Sequence, residues 1–370
     1  MSLKRKKVAI VGAGIAGLSI AYNLKKLNID VTVFEKSSEL RDNGLGFLIM
    51  SNGMGMFNQM GIENFIKDKG NVIEKFVSVD KYSNVLKDSP IENCLAINRS
   101  NCINAVYNQL GEESVSFGKE LIKYASVEGT DQKILHFKDG STFTADILIG
   151  ADGISSKLRN GLYPDHPKTE IKEKEIVGVA HIPELASKLQ NTFYKVINLE
   201  EGVNMGLLPS TNGEIIWFIQ FNENKIKTPG NSPEELEKFS KDIVAGLPLE
   251  FQEVIFASDF KQAFLWRMYD VDILPSFHKD GIVLVGDSAH PLLSFTSQGV
   301  NSALEDAHIL ANLLYNNPDS KAVDLFDKFD QLRRPIIQEA INGGRLILDQ
   351  FLHPEKYSNF EVPFVEHGAK

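Results

Sequence analysis

A glycine-rich turn near the start of the chain contains the first residues whose spacing could do chemistry. Residues 12–17 read GAGIAG and lie between an apolar run at 6–12 and a segment with helical spacing at 15–28. Glycines at this spacing allow a tight turn and a close approach of the backbone to a pyrophosphate at the helix N-terminus. Glu35 ends the next apolar run, where a carboxylate can bind ribose hydroxyls. These features predict a dinucleotide site and leave NAD and FAD both open.

Two further motifs place an aspartate directly after an apolar run. Residues 150–159 read GADGISSKLR and follow the run at 145–149, and residues 286–291 read GDSAHP and follow the run at 281–285. In open α/β sheets, ligands bind at the carboxyl ends of the strands. We therefore expect Asp152 and Asp287 to lie at the same sheet edge as the glycine turn. We expect His290 to order its loop and not to transfer a proton.

The elements around these motifs fall into two patterns. The strand–helix–strand unit at residues 6–36 predicts a parallel sheet with a right-handed crossover. Short runs rich in β-branched and aromatic residues, at 174–181, 192–199, 203–208 and 214–221, predict an inserted antiparallel sheet. After Asp287 the pattern is helical, first at 302–315 and then at 322–353, where we expect an interruption near Pro335.

The composition narrows the classes of function. The chain has 370 residues, of which 43% are hydrophobic and 24% charged, and a formal net charge of -10. This acidity argues against binding to nucleic acid or to an anionic membrane surface. Two cysteines cannot form a disulfide framework, and no spacing of ligands suggests a metal site. We expect a cytoplasmic protein, without membrane insertion, that acts on a small molecule.

The three motifs, in this order, resemble those of the class A flavoprotein monooxygenases, the para-hydroxybenzoate hydroxylase family. The glycine turn, GADGISSKLR and GDSAHP correspond to that family's fingerprint, GADGxxSxxR and GD(S/A)AHP motifs. Further matches are Arg41-x-x-Gly44-x-Gly46, Arg99, the segment 298–307 and Arg334-Pro335. The resemblance extends over nearly the whole chain.

The resemblance implies an α/β fold: a Rossmann-like FAD-binding domain of the GR2 type, an inserted and mainly antiparallel β-sheet substrate domain, and a C-terminal helix. We expect the FAD-binding domain to comprise residues 1–73, 97–168 and 274–322. The substrate domain is then formed by 74–96 and 169–273, and residues 323–370 form the C-terminal helical segment.

The resemblance also implies FAD as the cofactor and assigns residues to it. The glycine turn would line the pyrophosphate, Glu35 the adenosine ribose, Arg99 the phosphate or ribityl region, and Asp287 the ribityl chain. Asp152 belongs to a motif that the family uses for both FAD and the pyridine nucleotide. The complete set expected to bind cofactor is Gly12, Gly14, Ile15, Ala16, Gly17, Glu35, Lys36, Arg41, Gly46, Arg99, Asp152, Gly286, Asp287, Gly299, Val300 and Asn301.

The activity implied by the resemblance is an NAD(P)H-dependent hydroxylation of an aromatic or polycyclic substrate by O2 through a flavin C4a-hydroperoxide. NAD(P)H would bind only transiently, because the chain has no second GxGxxG motif. Three alternatives remain open: a flavin reductase or dehydrogenase, a halogenase-like enzyme, and a flavin-binding regulator. The choice between NADH and NADPH, and between a monomer and a homodimer, is also open.

The substrate pocket is predicted from strand alternation, since side chains two residues apart share one face of a strand. On 214–221 we expect Ile216, Phe218 and Gln220 to face the cavity, joined by Asn204 or Met205, with Phe295 nearby. Relatives usually carry a proline where Ser294 stands and a glycine where Ser297 stands, and some carry an arginine at the position of Asn204. The sequence assigns no catalytic residue and no metal ligand.

Overall fold

A six-stranded, mainly parallel sheet forms the centre of one of the two main parts of the fold. The computed structural model describes residues 6–40 and 46–357. The strands of this sheet are β1 (Lys7–Val11), β2 (Asp30–Phe34), β6 (Val115–Ser116), β10 (Ile147–Gly150), β16 (His278–Lys279) and β17 (Ile282–Leu284). Their order is β16-β17-β10-β1-β2-β6, parallel except for β16 at one edge. The ends of β1, β10 and β17 therefore lie side by side, and these are the strands that precede the three motifs.

A second, three-stranded antiparallel sheet packs against the end of β2. It consists of β7 (Leu121–Ser126), β8 (Lys133–Phe137) and β9 (Thr142–Ala145). The ring of Phe34 lies 4.7 Å from the ring of Phe137 and 4.9 Å from that of Phe143. These aromatic contacts hold the small sheet against the strand that ends just before Glu35.

The third sheet has eight strands and builds most of the other half of the fold. Its strands are β3 (Gly46–Ile49), β4 (Gly70–Val79), β5 (Val85–Asn98), β11 (Lys168–His181), β12 (Thr192–Asn198), β13 (Val203–Pro209), β14 (Glu214–Asn222) and β15 (Phe264–Val271). The order is β15-β11-β14-β13-β12-β4-β5-β3, antiparallel except where β12 meets β4. The four predicted runs form β11–β14, whereas the long β4–β5 hairpin was not predicted as strands.

One face of the eight-stranded sheet is covered by three helices, α6 (Pro183–Leu189), α7 (Pro233–Val244) and α8 (Leu249–Phe256). The odd-numbered side chains of β14, such as Trp217 and Ile219, are fully buried in this apolar cluster. Met205 on β13 belongs to the same cluster. The even-numbered side chains of β14 therefore lie on the opposite face of the sheet.

The remaining helices connect and cover the sheets. They are α1 (Ile15–Lys26), α2 (Ser51–Met60), α3 (Glu63–Lys67), α4 (Arg99–Leu110), α5 (Lys157–Leu162), α9 (Gln298–Asn316) and α10 (Ala322–Leu352). The expected interruption near Pro335 is wrong, because α10 runs through this residue. Phe329 before the proline and Ile337 after it are both fully buried in the main core, so packing on both sides compensates for the lost hydrogen bond.

The architecture confirms the expected fold class, in which a mainly parallel α/β unit is combined with a larger, mainly antiparallel sheet and a long C-terminal helix. Within the described ranges, we find no helix with the length and apolar character that crossing a bilayer requires.

Candidate active site

The glycine turn at residues 12–17 joins β1 to α1. Two of its glycines are tightly packed against backbone atoms, and the third is not. Gly12 has a φ of +108°, and a β-carbon there would lie 2.3 Å from the carbonyl oxygen of Ala151. A β-carbon at Gly17 would lie 2.0 Å from the carbonyl oxygen of Gly12. At Gly14, by contrast, no heavy atom of the described residues, apart from its chain neighbours and its own helix, lies within 4 Å of that position. Gly12 and Gly17 therefore close the turn, whereas Gly14 faces open space beside the N-terminus of α1.

Glu35 fixes the shape of this turn with both of its carboxylate oxygens. Oε2 accepts a hydrogen bond from the backbone N–H of Ala13 at 2.9 Å, and Oε1 accepts one from the N–H of Ser37 at 2.9 Å. Each oxygen keeps acceptor capacity for a further hydrogen bond. Glu35 is half-buried at the edge of the turn, and the adjacent Lys36 is exposed.

Asp152 caps the helix that follows its motif. Its Oδ1 accepts the hydroxyl of Ser156 at 2.5 Å, and its Oδ2 accepts the backbone N–H of Lys157 at 2.7 Å. The next residue, Gly153, donates its N–H to the hydroxyl oxygen of Ser288 at 2.8 Å. Asp152 thus orders the first turn of α5, and its loop is bonded directly to the loop that contains Asp287.

Arg159 also connects these two aspartate motifs. The side chain is only 4% exposed, and Nη1 donates to the carbonyl oxygens of Asp287 at 2.8 Å and Ser288 at 3.3 Å. Nη2 donates to the carbonyl of Ile154. This arginine belongs to the GADGISSKLR motif, but its contacts with the second aspartate motif are not predictable from the sequence. It is the buried cation that joins the carboxyl ends of β10 and β17.

Asp287 has a half-buried side chain at the point where these elements meet. Burial raises the pKa of its carboxyl group above the usual value, and the positive charges of His290, Arg159 and Arg99 oppose that increase. Its Oδ1 lies 4.0 Å from where a β-carbon of Gly299 would be. Asp287, Arg99 and Gly299 are therefore neighbours, although they lie far apart in the chain.

The N-terminus of α9 follows the loop at residues 294–297. Ser297, where the resemblance implies a glycine, has a φ of +53°, in the left-handed region that glycine adopts most easily. The Asn301 amide is fully buried: Oδ1 accepts the N–H of Met50 at 2.9 Å, and Nδ2 donates to Leu48 O at 3.2 Å. Its side chain therefore fixes α9 against β3 and α2, and only its backbone is free to approach a ligand.

Behind this helix, a buried ionic network holds the GDSAHP motif in place. His290 Nε2 lies 2.6 Å from Oδ2 of Asp306, and the same oxygen accepts the N–H of Gly286 at 2.8 Å. Oδ1 accepts Nε of Arg333 at 2.7 Å. Burial alone would raise the pKa of Asp306, but the charges of His290 and Arg333 outweigh it and hold the pKa below its usual value. The geometry agrees with an ordering role for His290.

The other residues predicted to bind cofactor lie on several elements of the fold. Ile15 and Ala16 begin α1, and the partly buried Val300 packs on the main core. Gly46 begins β3, where a β-carbon would lie 2.5 Å from a side-chain carbon of Ile216, so it is in tight contact with the large sheet. Lys36 makes no hydrogen bond or ion pair with residues 6–40 and 46–357. Arg41 lies outside the described residues.

On the large sheet, the residues predicted for the pocket divide between its two faces. Gln220 is paired with Asn204 on β13 and with Glu175 on β11, so these three side chains form one row on the face opposite the helices. Ile216 and Phe218 lie on the same face. Met205 does not, because it is buried under the helices on the other side. Of the two alternatives, only Asn204 can line this face.

Ser294 connects this row to the loop before α9. Its hydroxyl donates to Oε2 of Glu175 at 2.9 Å, and Nε2 of Gln220 donates to the same oxygen at 2.9 Å. Phe295 lies beside them, with its ring 6.1 Å from that of Phe351 on α10. Ser294, where the resemblance implies a proline, thus joins the polar row of the sheet to the loop that precedes α9.

Three ionisable groups on this face were missed by the sequence analysis. Glu173 is fully buried, Glu175 is 5% exposed, and Lys195 is 9% exposed. Burial raises the pKa of both carboxyl groups, and burial lowers the pKa of Lys195 to about 8 against the attraction of the two glutamates. The spacing Glu173-x-Glu175 within a strand was the available signal, because alternation places both on one face.

The donor set of this region suits a dinucleotide rather than a metal ion. Among the side chains of the described ranges, no group of three or more His, Cys, Asp or Glu residues could hold a metal. The open space at Gly14, the N-terminus of α1 and the free acceptor capacity of Glu35 fit a pyrophosphate and a ribose. Asp287 and the first turn of α9 lie next to each other, near the carboxyl end of β17.

Comparison with known proteins agrees with this geometry. The chain is 26% identical over 362 residues to 3-amino-4-hydroxybenzoate 2-monooxygenase of Streptomyces cremeus, covering 94% of this chain and 88% of the relative. It is 26% identical over 394 residues to the FAD-dependent monooxygenase esdpE of Penicillium shearii, covering 94% and 79%. These relatives confirm the expected class of FAD-dependent monooxygenase.

Solved structures match the fold closely. HpxO of Klebsiella pneumoniae, in complex with FAD and uric acid, superimposes with a TM-score of 0.86 at 21% identity, covering 95% of this chain and 90% of that one. The 2,6-dihydroxypyridine-3-hydroxylase of Arthrobacter nicotinovorans gives 0.80 at 19% identity, covering 98% and 95%.

The family match completes the comparison. Residues 5–343 match the family described as FAD binding domain, which confirms FAD as the cofactor and the resemblance to the class A flavoprotein monooxygenases. The chain belongs to the FAD binding domain family.

Proposed function

We propose that this protein uses NAD(P)H and O2 to hydroxylate an aromatic or polycyclic small molecule on bound FAD. The observation that carries the proposal is the hydrogen bond from Ser294 to Glu175, which joins the loop before α9 to the polar row of the large sheet. A ligand lying on that row would be next to the flavin end of the cofactor. A hydroxylase requires this proximity of the substrate to the flavin.

The cofactor-binding roles extend this proposal to individual residues. The backbone of the glycine turn binds the pyrophosphate, and Glu35 accepts hydrogen bonds from the adenosine ribose. Asp287 binds the ribityl chain, with Arg99 nearby. The backbone N–H groups of Gly299, Val300 and Asn301 lie in the first turn of α9, where the helix dipole stabilises negative charge on a bound group.

The protein contributes positioning and electrostatics, whereas the cofactor contributes the redox chemistry. Bound FAD, once reduced by NAD(P)H, supplies the activation of O2. The apolar side chains Ile216 and Phe218 would support an aromatic ring on the face of the sheet, and Asn204, Gln220 and Glu175 would orient its polar groups. An apolar wall with a few convergent polar groups is typical of small-molecule sites.

The relatives support this choice of substrate class. One is named for an aminohydroxybenzoate and one structural neighbour for a dihydroxypyridine, and another neighbour was solved with uric acid. All three ligands are planar rings with polar substituents. By analogy, a planar ring with polar substituents suits the apolar and polar parts of this face.

A flavin reductase or dehydrogenase is the second candidate function. The specific observation in its favour is Ser294, whose hydroxyl donates to Glu175 at a position where the resemblance implies a proline. A cytoplasmic location and a monomeric or homodimeric state stay predictions.

A compound screen for stimulated NAD(P)H oxidation tests the proposal. Protein loaded with FAD is mixed with NADH or NADPH and single aromatic compounds, and the products are analysed by mass spectrometry. We expect at least one compound to stimulate oxidation and to gain 16 mass units, with labelled oxygen incorporated from labelled O2. Stimulated oxidation that yields only hydrogen peroxide with every compound would support the reductase instead.

A further inference from the structure

Resting on the proposed function, we infer that the substrate presents hydrogen-bond donors to Glu173, Asn204 and Gln220 on the large sheet and carries no carboxylate there. The donors would be hydroxyl, amino or ring N–H groups. These three residues, which we term the acceptor cluster, share one face of β11, β13 and β14. The cluster thus sets the chemical class of substrate that this chain selects.

Four acceptor atoms of the cluster are buried without a hydrogen bond to any described residue. They are both carboxylate oxygens of Glu173, Oδ1 of Asn204 and Oε1 of Gln220. The three side chains are at most 2% exposed. Buried polar groups in folded proteins nearly always have a partner, and each one left unpaired is costly. Four unpaired acceptors on one face therefore indicate a ligand that supplies donors.

The orientation of Gln220 is determined by its neighbours. Its Nε2 donates to Oε2 of Glu175 at 2.9 Å and lies 3.4 Å from Oγ of Ser294. A carboxylate oxygen accepts and does not donate, so the amide nitrogen must point to Glu175 and the amide oxygen must point away. Gln220 is thereby held as an acceptor towards any ligand on this face.

A substrate carboxylate would fit this environment poorly. It has acceptors only, so it could not donate to the amide oxygens of Asn204 and Gln220. It would also bring a negative charge close to Glu175, whose Oε2 already accepts two hydrogen bonds, in a buried site where like charges repel strongly. A hydroxyl or amino group would instead complete the hydrogen bonding that the protein leaves open.

Lys195 is the one cation of this polar face among the described residues. It lies one row away, paired with Gly206, and its Nζ is 5.6 Å from the ring centre of Phe218. The charges of both Glu173 and Glu175 act on it and favour its protonated form. Its positive charge therefore already interacts with two acidic side chains of the protein.

Binding of two matched compounds by the FAD-loaded protein tests this inference. The probes are 2-aminophenol and 3-amino-4-hydroxybenzoate, which differ only in the carboxylate, and binding is measured by isothermal titration calorimetry. We expect 2-aminophenol to bind at least about tenfold tighter, because only it can satisfy the buried acceptors without adding charge. Equal or tighter binding of the benzoate overturns the inference, as does the absence of 2-aminophenol binding at its solubility limit.

Two variants test whether the acceptor cluster causes the preference for 2-aminophenol over 3-amino-4-hydroxybenzoate. Glu173→Gln replaces one carboxyl oxygen with an amide NH2 group at little change in size, and we expect the ratio of the two dissociation constants to fall by at least about threefold. Glu214→Gln, on β14 but outside the cluster, should leave the preference unchanged. If Glu173→Gln does not fold, Asn204→Ser is compared in the same way. Identical preferences in the cluster variant and in Glu214→Gln overturn the inference.

A failure of this inference can be distinguished from a failure of the proposed function. FAD content and NAD(P)H oxidation are measured on the same preparations, and calorimetry needs no turnover. A yellow protein that forms hydroxylated products but prefers the benzoate refutes only the acceptor cluster. A protein that takes up no FAD refutes the proposed function directly.

Discussion

Arg333 on α10 donates from Nε to Oδ1 of Asp306 on α9 at 2.7 Å, and both side chains are fully buried. Oδ2 of the same aspartate contacts His290 and the N–H of Gly286. One carboxylate therefore holds the C-terminal helix, helix α9 and the GDSAHP loop together, directly behind Asp287.

Asp306→Asn should destabilise the protein strongly, because it leaves Arg333 as a buried cation with only Glu305 as an acidic partner. We expect the free energy of unfolding, measured with urea, to fall by about 3–5 kcal/mol. Asp324→Asn, at an exposed aspartate of α10, is the control and should have little effect. A loss in Asp306→Asn no larger than in the control would show that the network does not support the fold.

The same aspartate predicts a pH dependence. Because the pKa of Asp306 is lowered in the fold, its contribution is fully present above the pKa of an unfolded aspartate, about 4, and is lost as the pH falls through the folded value. The stability gap between wild type and Asp306→Asn should therefore shrink below about pH 4. A gap that stays constant with pH would contradict this assignment.

Gly14→Ala and Gly17→Ala separate the cofactor role of the glycine turn from its structural role. A β-carbon at Gly17 would overlap the carbonyl of Gly12, so we expect Gly17→Ala to destabilise the FAD-free protein by about 1–3 kcal/mol. Gly14 faces open space, so Gly14→Ala should change that stability by no more than about 1 kcal/mol.

Gly14→Ala, which should keep its stability, should nevertheless lose affinity for FAD. In Gly14→Ala the methyl group would keep the pyrophosphate away from the backbone donors, and we expect FAD affinity to fall by about tenfold to a hundredfold. FAD titration followed by flavin fluorescence measures this. Unchanged affinity in a stable Gly14→Ala protein would place the pyrophosphate elsewhere.

Asp287→Ala should weaken FAD binding without unfolding the protein. The backbone of Asp287 remains bonded to Arg159, so the loop keeps its shape, whereas the side chain no longer binds the ribityl hydroxyls. We expect the dissociation constant for FAD to rise at least about tenfold. Asp319→Ala, at an exposed turn, is the control, and equal FAD affinity in the two variants would refute the role of Asp287.

Lys195 predicts a rise in stability with pH. Its pKa is about 8 in the fold, whereas an unfolded lysine has a pKa of about 10.4. Between these values the unfolded chain binds more protons, so wild type should gain stability relative to Lys195→Met from about pH 8 to about pH 10. Urea unfolding across this range checks it, with the exposed Lys69→Met as control. Parallel curves for wild type and Lys195→Met would contradict the prediction.

The parts of the site that could be predicted from the sequence are those whose residues lie close together in the chain. The glycine turn, Glu35 and the two aspartate loops each lie within or directly after a strand, so short motifs locate them. The contacts of Arg159 with Asp287 and of Arg333 with Asp306 join residues 128 and 27 positions apart. No local pattern encodes such pairs, because they depend on how the strands and helices pack.

Contacts between strands of the large sheet were likewise not predictable from local spacing. Alternation assigned Gln220 to one face of β14, but it could not decide between Asn204 and Met205, because the register of β13 against β14 is a property of the folded sheet. The role of Ser294 was also not predictable, since Glu175 lies 119 residues away.

The FAD content of the purified protein tests the central claim most directly. The glycine turn, Glu35, Asp287 and the N-terminus of α9 should together hold one FAD per chain. FAD-free protein titrated with FAD should give a yellow complex that saturates at one equivalent, as read from visible absorbance after removal of free FAD. A colourless protein that retains no FAD after titration would contradict this account.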